Sequence, residues 1–112
     1  EVFLASEFRY QKHFYDKDTL VVFISQSGET ADTLEALRIT KSDGIDTLAI
    51  VNVVGSSIAR EAGKVLYIKA GTEIAVATTK AFTAQYLLLT LIALKMAGIN
   101  DLSKFYKINE AL

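Results

Sequence analysis

Three apolar runs of strand length, separated by segments with helical character, constrain the fold of this chain more than any other feature. The runs are rich in β-branched residues and cover residues 19–24, 47–53 and 65–68. Strands that are apolar at nearly every position are typical of parallel sheets with both faces covered. A helix that returns along each strand fits the same architecture. The sequence therefore predicts an α/β fold with a parallel sheet.

The segments between and after the apolar runs predict the helices. Residues 29–43 predict a helix that stops at Gly44, with Glu29 on its outer side. Residues 57–62 predict one or two helical turns, and residues 79–97 predict a long apolar helix. The inner face of the first helix is predicted to carry Ala31, Leu34, Leu37 and Lys41.

The two ends of the chain give weaker patterns. Residues 2–5 form a short apolar run that predicts a further strand, and a helical turn is expected around residues 6–10. His13 lies beside Phe14 and is interpreted as a packing or surface residue rather than a ligand. The segment from residue 101 onward predicts another short helix.

Composition excludes several classes of function. The chain of 112 residues has no cysteine and one histidine, so it offers neither a cysteine-based zinc site nor a Ser-His-Asp triad. A net charge of -1 without a basic block argues against nucleic-acid binding. The uncharged stretch between Lys80 and Lys95 is shorter than the roughly 20 apolar residues that span a bilayer. We therefore expect a cytoplasmic protein without a metal site, a nucleic-acid partner or a membrane anchor.

The first apolar run ends in the polar loop Ser-Gln-Ser-Gly-Glu-Thr at residues 25–30, directly before a predicted helix. The first turn of a helix has unpaired N–H groups and a partial positive charge, and Gly28 permits a close turn. With the neighbouring hydroxyls, these groups suit a phosphate. The alternative is that Ser27 caps the helix, with Thr30 in its first turn. The residues alone leave both interpretations open.

Two further loops follow the second and third apolar runs and are expected at the same edge of the sheet. Residues 52–57 place Gly55, Ser56 and Ser57 between a strand and a helical turn, which favours helix capping over ligand binding. Residues 70–79 form a long polar loop before the apolar helix, and loops of this length are often functional.

Two interpretations remain open near the long apolar helix. Glu73 and Lys80 form an ordinary ion pair or, if they face a pocket, orient sugar hydroxyls. An apolar stripe on the helix is interpreted as core or subunit interface, because a helix that is apolar on most faces must be covered. The stripe consists of Phe82, Tyr86, Leu87, Leu89 and Ile92.

Four motifs, in one continuous order, resemble the isomerase portion of the glucosamine-6-phosphate synthase family, the isomerizing glutamine–fructose-6-phosphate aminotransferases. They are the residues 5–10, 25–38, 52–57 and 70–85. The resemblance implies a sugar isomerase (SIS) fold, a flavodoxin-like three-layer α/β/α sandwich with a parallel sheet. It also implies that residues 1–112 are one partial SIS domain, which lacks the first strand and turn of the first of two SIS subdomains.

The resemblance also implies a substrate and a set of contacts. The family binds fructose 6-phosphate or glucosamine 6-phosphate, with no cofactor. Thr78 stands where the family usually has serine, which keeps the hydroxyl and adds a methyl group. The positions that match the family's phosphate and sugar contacts are Ser25, Gln26, Ser27, Thr30, Val76 and Thr78.

The family's catalytic groups have no counterpart in this chain. Its acid–base residues and its sugar-binding lysine belong to the second SIS subdomain, and its glutaminase domain uses a cysteine nucleophile. The resemblance therefore implies that the chain alone is inactive, and the apolar helix indicates a homo-oligomer, such as a dimer. The alternatives are another SIS isomerase or deaminase of the fructosamine deglycase type, a SIS sensor module of a transcription regulator, and a purely structural module.

Overall fold

The computed structural model describes residues 1–16, 18–71, 79–99 and 101. Strands and helices alternate along most of this part of the chain. The elements are α1 (Ala5–Phe8), β1 (Leu20–Ser25), α2 (Ala31–Ser42), β2 (Asp46–Val51), α3 (Ser57–Glu61), β3 (Lys64–Tyr67) and α4 (Thr79–Met96).

The three strands form one parallel sheet in the order β1-β2-β3. Leu20 lies opposite Asp46 on β2, and Leu48 lies opposite Lys64 on β3, so the register is continuous across the sheet. This arrangement confirms the predicted α/β fold with a parallel sheet. Because all strands run in one direction, their carboxyl ends share one edge, where such sheets bind ligands.

The core lies between the sheet and helices α1 to α3. Strand β2 is buried at every position after Asp46, and Leu37 and Ile58 are fully buried above it. The opposite face is partly open, because Ile24 on β1 and Leu66 on β3 are 42% and 37% exposed. The sequence predicts a sheet that is covered on both faces. In the part of the chain that the structure describes, one face is therefore covered incompletely.

Helix α3 is short, and contacts with α2 fix its position. The Arg38 guanidinium donates two hydrogen bonds to the Glu61 carboxylate, at 2.8 Å and 2.6 Å, and Lys41 Nζ donates to the Glu61 carbonyl. The pKa of Glu61 is lowered, first by its hydrogen bond with Arg38. These contacts hold the end of α3 against α2, and the start of α3 then faces the carboxyl edge of the sheet.

The N-terminal segment corrects one prediction and confirms two. Residues 1–4 form no strand, and Ala5 instead begins α1, which confirms the helical turn expected nearby. Val2 and Leu4 are exposed, so this apolar run has no sheet neighbour among the described residues. His13 stacks on the Phe8 ring at 3.7 Å between centroids, and this contact confirms its packing role.

The buried face of α2 differs from the predicted one. Leu37 is buried as expected, but Ala31 and Lys41 are exposed. The hydroxyl of Thr40 donates to the Ala36 carbonyl at 2.9 Å, and a threonine whose hydroxyl is paired in this way can be buried at little cost. The buried residues of α2 are Thr33, Ala36, Leu37 and Thr40.

Helix α4 begins at the predicted residue and ends one residue before the predicted end, and Gly98 lies two residues beyond it with a φ of 76°. Its apolar stripe is not part of the core within the described residues, because Phe82 and Tyr86 are 65% and 68% exposed. The stripe was interpreted as part of the core or as a subunit interface. The described structure does not support the first interpretation. The helix predicted from residue 101 onward lies almost entirely outside the described residues.

Candidate functional site

Three segments meet at the carboxyl edge of the sheet, and Asn52 joins them. They are the loop 25–30, which we call the hydroxyl loop, the start of the loop 52–57, and Ala70 with Gly71 at the start of the third loop. The Asn52 backbone N–H donates to the Gln26 carbonyl at 3.1 Å. The Asn52 side chain accepts from the Ala70 N–H and donates to the Gly71 carbonyl, both at 2.8 Å. The expected meeting of the three loops at one edge is therefore observed for their described residues.

The hydroxyl loop is curled by its own side chains. Ser25 Oγ accepts the Gly28 N–H at 3.0 Å and lies 2.9 Å from Thr30 Oγ1. Ser27 Oγ accepts the Glu29 N–H at 3.2 Å. Ser25 is buried, Ser27 is half-buried and Thr30 is exposed, so the hydroxyls extend from the core to the surface along one loop. Gln26, the fourth predicted residue of this loop, is half-buried.

The capping interpretation of Ser27 is wrong. Helix α2 begins at Ala31, and its N-cap residue is Thr30, in an extended conformation without a side-chain cap. Among the described residues, the Thr30 side chain caps none of the N–H groups of the first turn, and these groups adjoin the hydroxyls of the loop. Unpaired N–H groups at a helix start, together with its partial positive charge, favour an anion.

Gly28 is required by the backbone and by its neighbour. Its φ is 67°, in the left-handed region that favours glycine, and an added Cβ would lie 2.0 Å from Ser56 Oγ. Ser56 is the N-cap residue of α3, but its side chain makes no cap hydrogen bond. Side-chain capping by Ser56 is therefore not observed. Its hydroxyl is buried without a hydrogen-bond partner in the described part of the chain.

Glu29 is a residue of this site that the sequence interpretation missed, because it placed Glu29 on the outer side of α2. Glu29 Oε1 accepts the Ser57 N–H at 2.7 Å, and the Ile58 N–H donates to the Gly28 carbonyl at 3.0 Å. The pKa of Glu29 is lowered, first by hydrogen bonds from Ser57 and then by the positive charge of Arg60. The sequence signal that could have identified Glu29 is an acidic residue between a glycine and the start of a helix.

Part of the predicted site lies outside the described residues. Val76, Thr78 and Glu73 belong to the segment 72–78, so their roles stay predictions. Among the residues that the structure does describe, no group of three acidic, histidine or cysteine side chains is placed to hold a metal ion. Within the same residues, no helix has the length and apolar character to cross a membrane.

Curated relatives with one name match most of the chain. A protein of Clostridium tetani is 58% identical over 97 residues, and one of Methanosarcina acetivorans is 52% identical over 101 residues. Both are named glutamine–fructose-6-phosphate aminotransferase [isomerizing]. The matches cover 87% and 90% of this chain but only 16% of each relative, so the chain spans about a sixth of their length.

Solved structures have the same fold. The C-terminal domain of glucosamine-fructose-6-phosphate aminotransferase from Francisella tularensis matches with a TM-score of 0.80 and 42% identity, over 99% of this chain and 32% of that one. A putative phosphosugar isomerase from Clostridium difficile matches with a TM-score of 0.72 and 27% identity, over 87% of this chain and 29% of that one. The family model for the SIS domain matches residues 1–95. The chain, with its parallel sheet and the hydroxyl loop at its carboxyl edge, therefore belongs to the SIS domain family.

Proposed function

We propose that this chain is the sugar-phosphate-binding part of the isomerase region of a glutamine–fructose-6-phosphate aminotransferase. Its ligand is fructose 6-phosphate or glucosamine 6-phosphate. One observation carries the proposal: the hydroxyls of Ser25, Ser27 and Thr30 meet the uncapped start of α2 at the carboxyl edge of the sheet. The names of the relatives that cover most of the chain support the choice of substrate.

We assign the residues of the hydroxyl loop different roles in binding the phosphate. Ser25 is buried and already bonded to Gly28, so it shapes the loop from below. Gln26, Ser27 and Thr30 retain exposed surface and provide donors to the phosphate oxygens. The N–H groups of the first turn of α2 add their partial positive charge. Val76 and Thr78 complete the proposed set through contacts with the sugar.

The proposed reaction needs groups beyond those of this chain. In the whole enzyme, ammonia from glutamine is transferred to fructose 6-phosphate, and a proton transfer then converts the ketose product into an aldose. We assign no proton-transfer residue to the hydroxyl loop. Its contribution is to bind the phosphate, which does not react and is held equally in the ground state and the transition state. The 112-residue chain alone is then inactive.

Replacing Ser27 with alanine tests the phosphate site. A hydrogen bond to a charged group contributes about 1.5–3 kcal/mol, so Ser27→Ala is expected to raise the Kd for fructose 6-phosphate about tenfold to a hundredfold. Calorimetric titration of the intact protein measures this change. Ser42→Ala is the matched control, because that exposed serine lies at the other end of α2. Equal affinity of Ser27→Ala and the wild type contradicts the phosphate assignment.

A second candidate function is that of a phosphosugar isomerase without glutamine-dependent amination. The similarity to the putative phosphosugar isomerase from Clostridium difficile favours it, although its identity of 27% is below the 42% of the aminotransferase domain. The two functions share the hydroxyl loop and differ in the nitrogen donor. Formation of glucosamine 6-phosphate that depends on glutamine distinguishes the aminotransferase from the simple isomerase.

We further propose that the protein acts in the cytoplasm as a homodimer, and that the exposed apolar side of α4 contributes to the interface. Phe82, Tyr86 and Leu87 are exposed on this helix, and apolar surface of this kind favours association. We expect light scattering of the intact protein to give the mass of a dimer, and Tyr86→Glu to lower it. Glu35→Lys on the exposed side of α2 is the control. A monomer at high concentration contradicts the proposal.

A further inference from the structure

We propose that Glu29 is a positioning residue for the phosphate site, whose carboxylate fixes the hydroxyl loop to the start of α3. The inference rests on the proposed function of the hydroxyl loop, and it adds a residue that does not itself touch the ligand. It also gives residues 52–57 a role other than binding phosphate. They form the surface against which the loop is held.

The attachment consists of two adjacent hydrogen bonds. The Gly28 carbonyl accepts the Ile58 N–H at 3.0 Å, and Glu29 Oε1 accepts the Ser57 N–H at 2.7 Å. Consecutive residues of the loop thus bind consecutive residues of α3, which restrains both the distance and the orientation of the two segments. The first bond depends on backbone atoms alone. The second depends on a side chain that has the length of glutamate.

The same bond also affects how the negative charge of Glu29 acts on a bound phosphate. A carboxylate beside a bound phosphate repels it, and this repulsion lowers affinity unless other groups offset the charge. The Ser57 N–H and the positive charge of Arg60 offset part of the negative charge of Glu29 and hold its carboxylate against α3. Arg60 also donates to Ser57 Oγ at 3.1 Å and to the Gly55 carbonyl, so its guanidinium is held at the start of α3.

The direction of the pKa shift defines a pH window for this bond. The pKa of Glu29 lies below its ordinary value of 4.5, first because Ser57 donates to the carboxylate. A lowered pKa means that the stabilisation is fully present above the ordinary value and is lost as the pH falls through the lowered one. Among the described residues, Arg60 is the charged group that acts on this carboxylate.

Three variants of the intact protein test the inference. Glu29→Gln keeps the shape of the side chain and one acceptor oxygen but removes the charge, whereas Glu29→Ala removes the bond. We expect the KM for fructose 6-phosphate to rise about tenfold in Glu29→Ala. It is expected to rise less in Glu29→Gln, which keeps an acceptor oxygen and no longer repels the phosphate. The kcat is expected to change little, because phosphate binding is lost equally from the ground state and the transition state. Glu35→Gln, an exposed acid of α2, is the matched control with unchanged constants.

The pH profile and direct binding complete the test. The ratio of the KM of Glu29→Gln to that of the wild type is expected to stay constant from about pH 8 to about pH 7, because Glu29 is ionised there and the phosphate, whose second pKa is about 6, is mostly a dianion. A ratio that changes within this range overturns the inference. Calorimetry with fructose 6-phosphate separates the two possible failures. A wild type that binds no ligand overturns the proposed function and the inference together. A Glu29→Ala variant that binds as tightly as the wild type overturns the role of Glu29 alone.

Discussion

Replacing Gly28 with alanine is expected to destabilise the protein by roughly 2–5 kcal/mol and to raise the Kd for fructose 6-phosphate at least about tenfold. Two independent costs add in this variant. The left-handed φ of 67° strains any residue that has a Cβ. The new methyl group also collides with Ser56, whose Oγ and Cβ would lie 2.0 Å and 2.5 Å away. Relief of the collision displaces the loop from α3, and the hydroxyls then lose their arrangement.

Two further variants separate these costs. Gly44 has a φ of 75° and nothing within 4 Å of an added Cβ, so Gly44→Ala has the conformational cost alone, about 1–2 kcal/mol. Adding Ser56→Gly to Gly28→Ala removes the collision and is expected to restore about 1–3 kcal/mol. Glycine is an acceptable N-cap, so Ser56→Gly alone has a small effect. Urea denaturation measures each free energy of unfolding. Equal costs for Gly28→Ala and Gly44→Ala contradict the close contact with Ser56.

The second large effect is expected from Ile58→Ala, which should lower the free energy of unfolding by about 2–5 kcal/mol. Ile58 is fully buried between α3 and the sheet, next to the attachment of the hydroxyl loop, so truncation leaves a cavity there. Ile24→Ala makes the same chemical change on the open face of β1, where the side chain is 42% exposed. We expect its effect to remain below about 1.5 kcal/mol, because exposed surface gains less from burial.

Urea denaturation of the two isoleucine variants, followed by circular dichroism, tests which face of the sheet carries the core. Equal losses at Ile58 and Ile24 would mean that both faces are covered to the same extent in solution. The affinity for fructose 6-phosphate adds a second measurement. Ile58→Ala is expected to weaken it more than Ile24→Ala, because α3 supports the hydroxyl loop and the open face of β1 does not.

The strands and the longer helices were predictable because the apolar runs and the glycine stops are local signals. Gly44 and Gly98 mark the ends of α2 and α4, and the structure places those ends within two residues of the predictions. The N-terminal run failed for a physical reason. Val2 to Leu4 has strand composition, but a strand needs a neighbour to pair with, and composition does not reveal one.

The prediction of which residues of α2 are buried was partly wrong. A polarity scale treats Thr40 as an outward residue, whereas its hydroxyl donates to a carbonyl one turn earlier, and this bond lets the side chain enter the core. Lys41 was assigned inward on spacing alone. Its ammonium instead reaches the carbonyl of Glu61 at the end of α3.

At the site, the sequence was sufficient to place residues at one edge but not to describe their bonds. The hydroxyl loop lies beside Asn52 and Ala70 because strand ends in a parallel sheet share an edge. The cap prediction for Ser27 failed because α2 begins two residues after the predicted start. The contact of Glu29 with Ser57 joins residues 28 positions apart, and no local pattern indicates a bond over that separation.

The backbone bonds of the hydroxyl loop also affect how its specificity can change. Gln26 and Gly28 are attached to the neighbouring segments through their carbonyls, to the N–H groups of Asn52 and Ile58. These attachments persist whatever side chain stands at position 26 or 27. Ligand preference can therefore diverge among relatives, or be redesigned in libraries that vary these two positions, with little penalty in folding. Gly28 and Glu29 do not tolerate such variation, because the attachment of the hydroxyl loop to α3 depends on both residues.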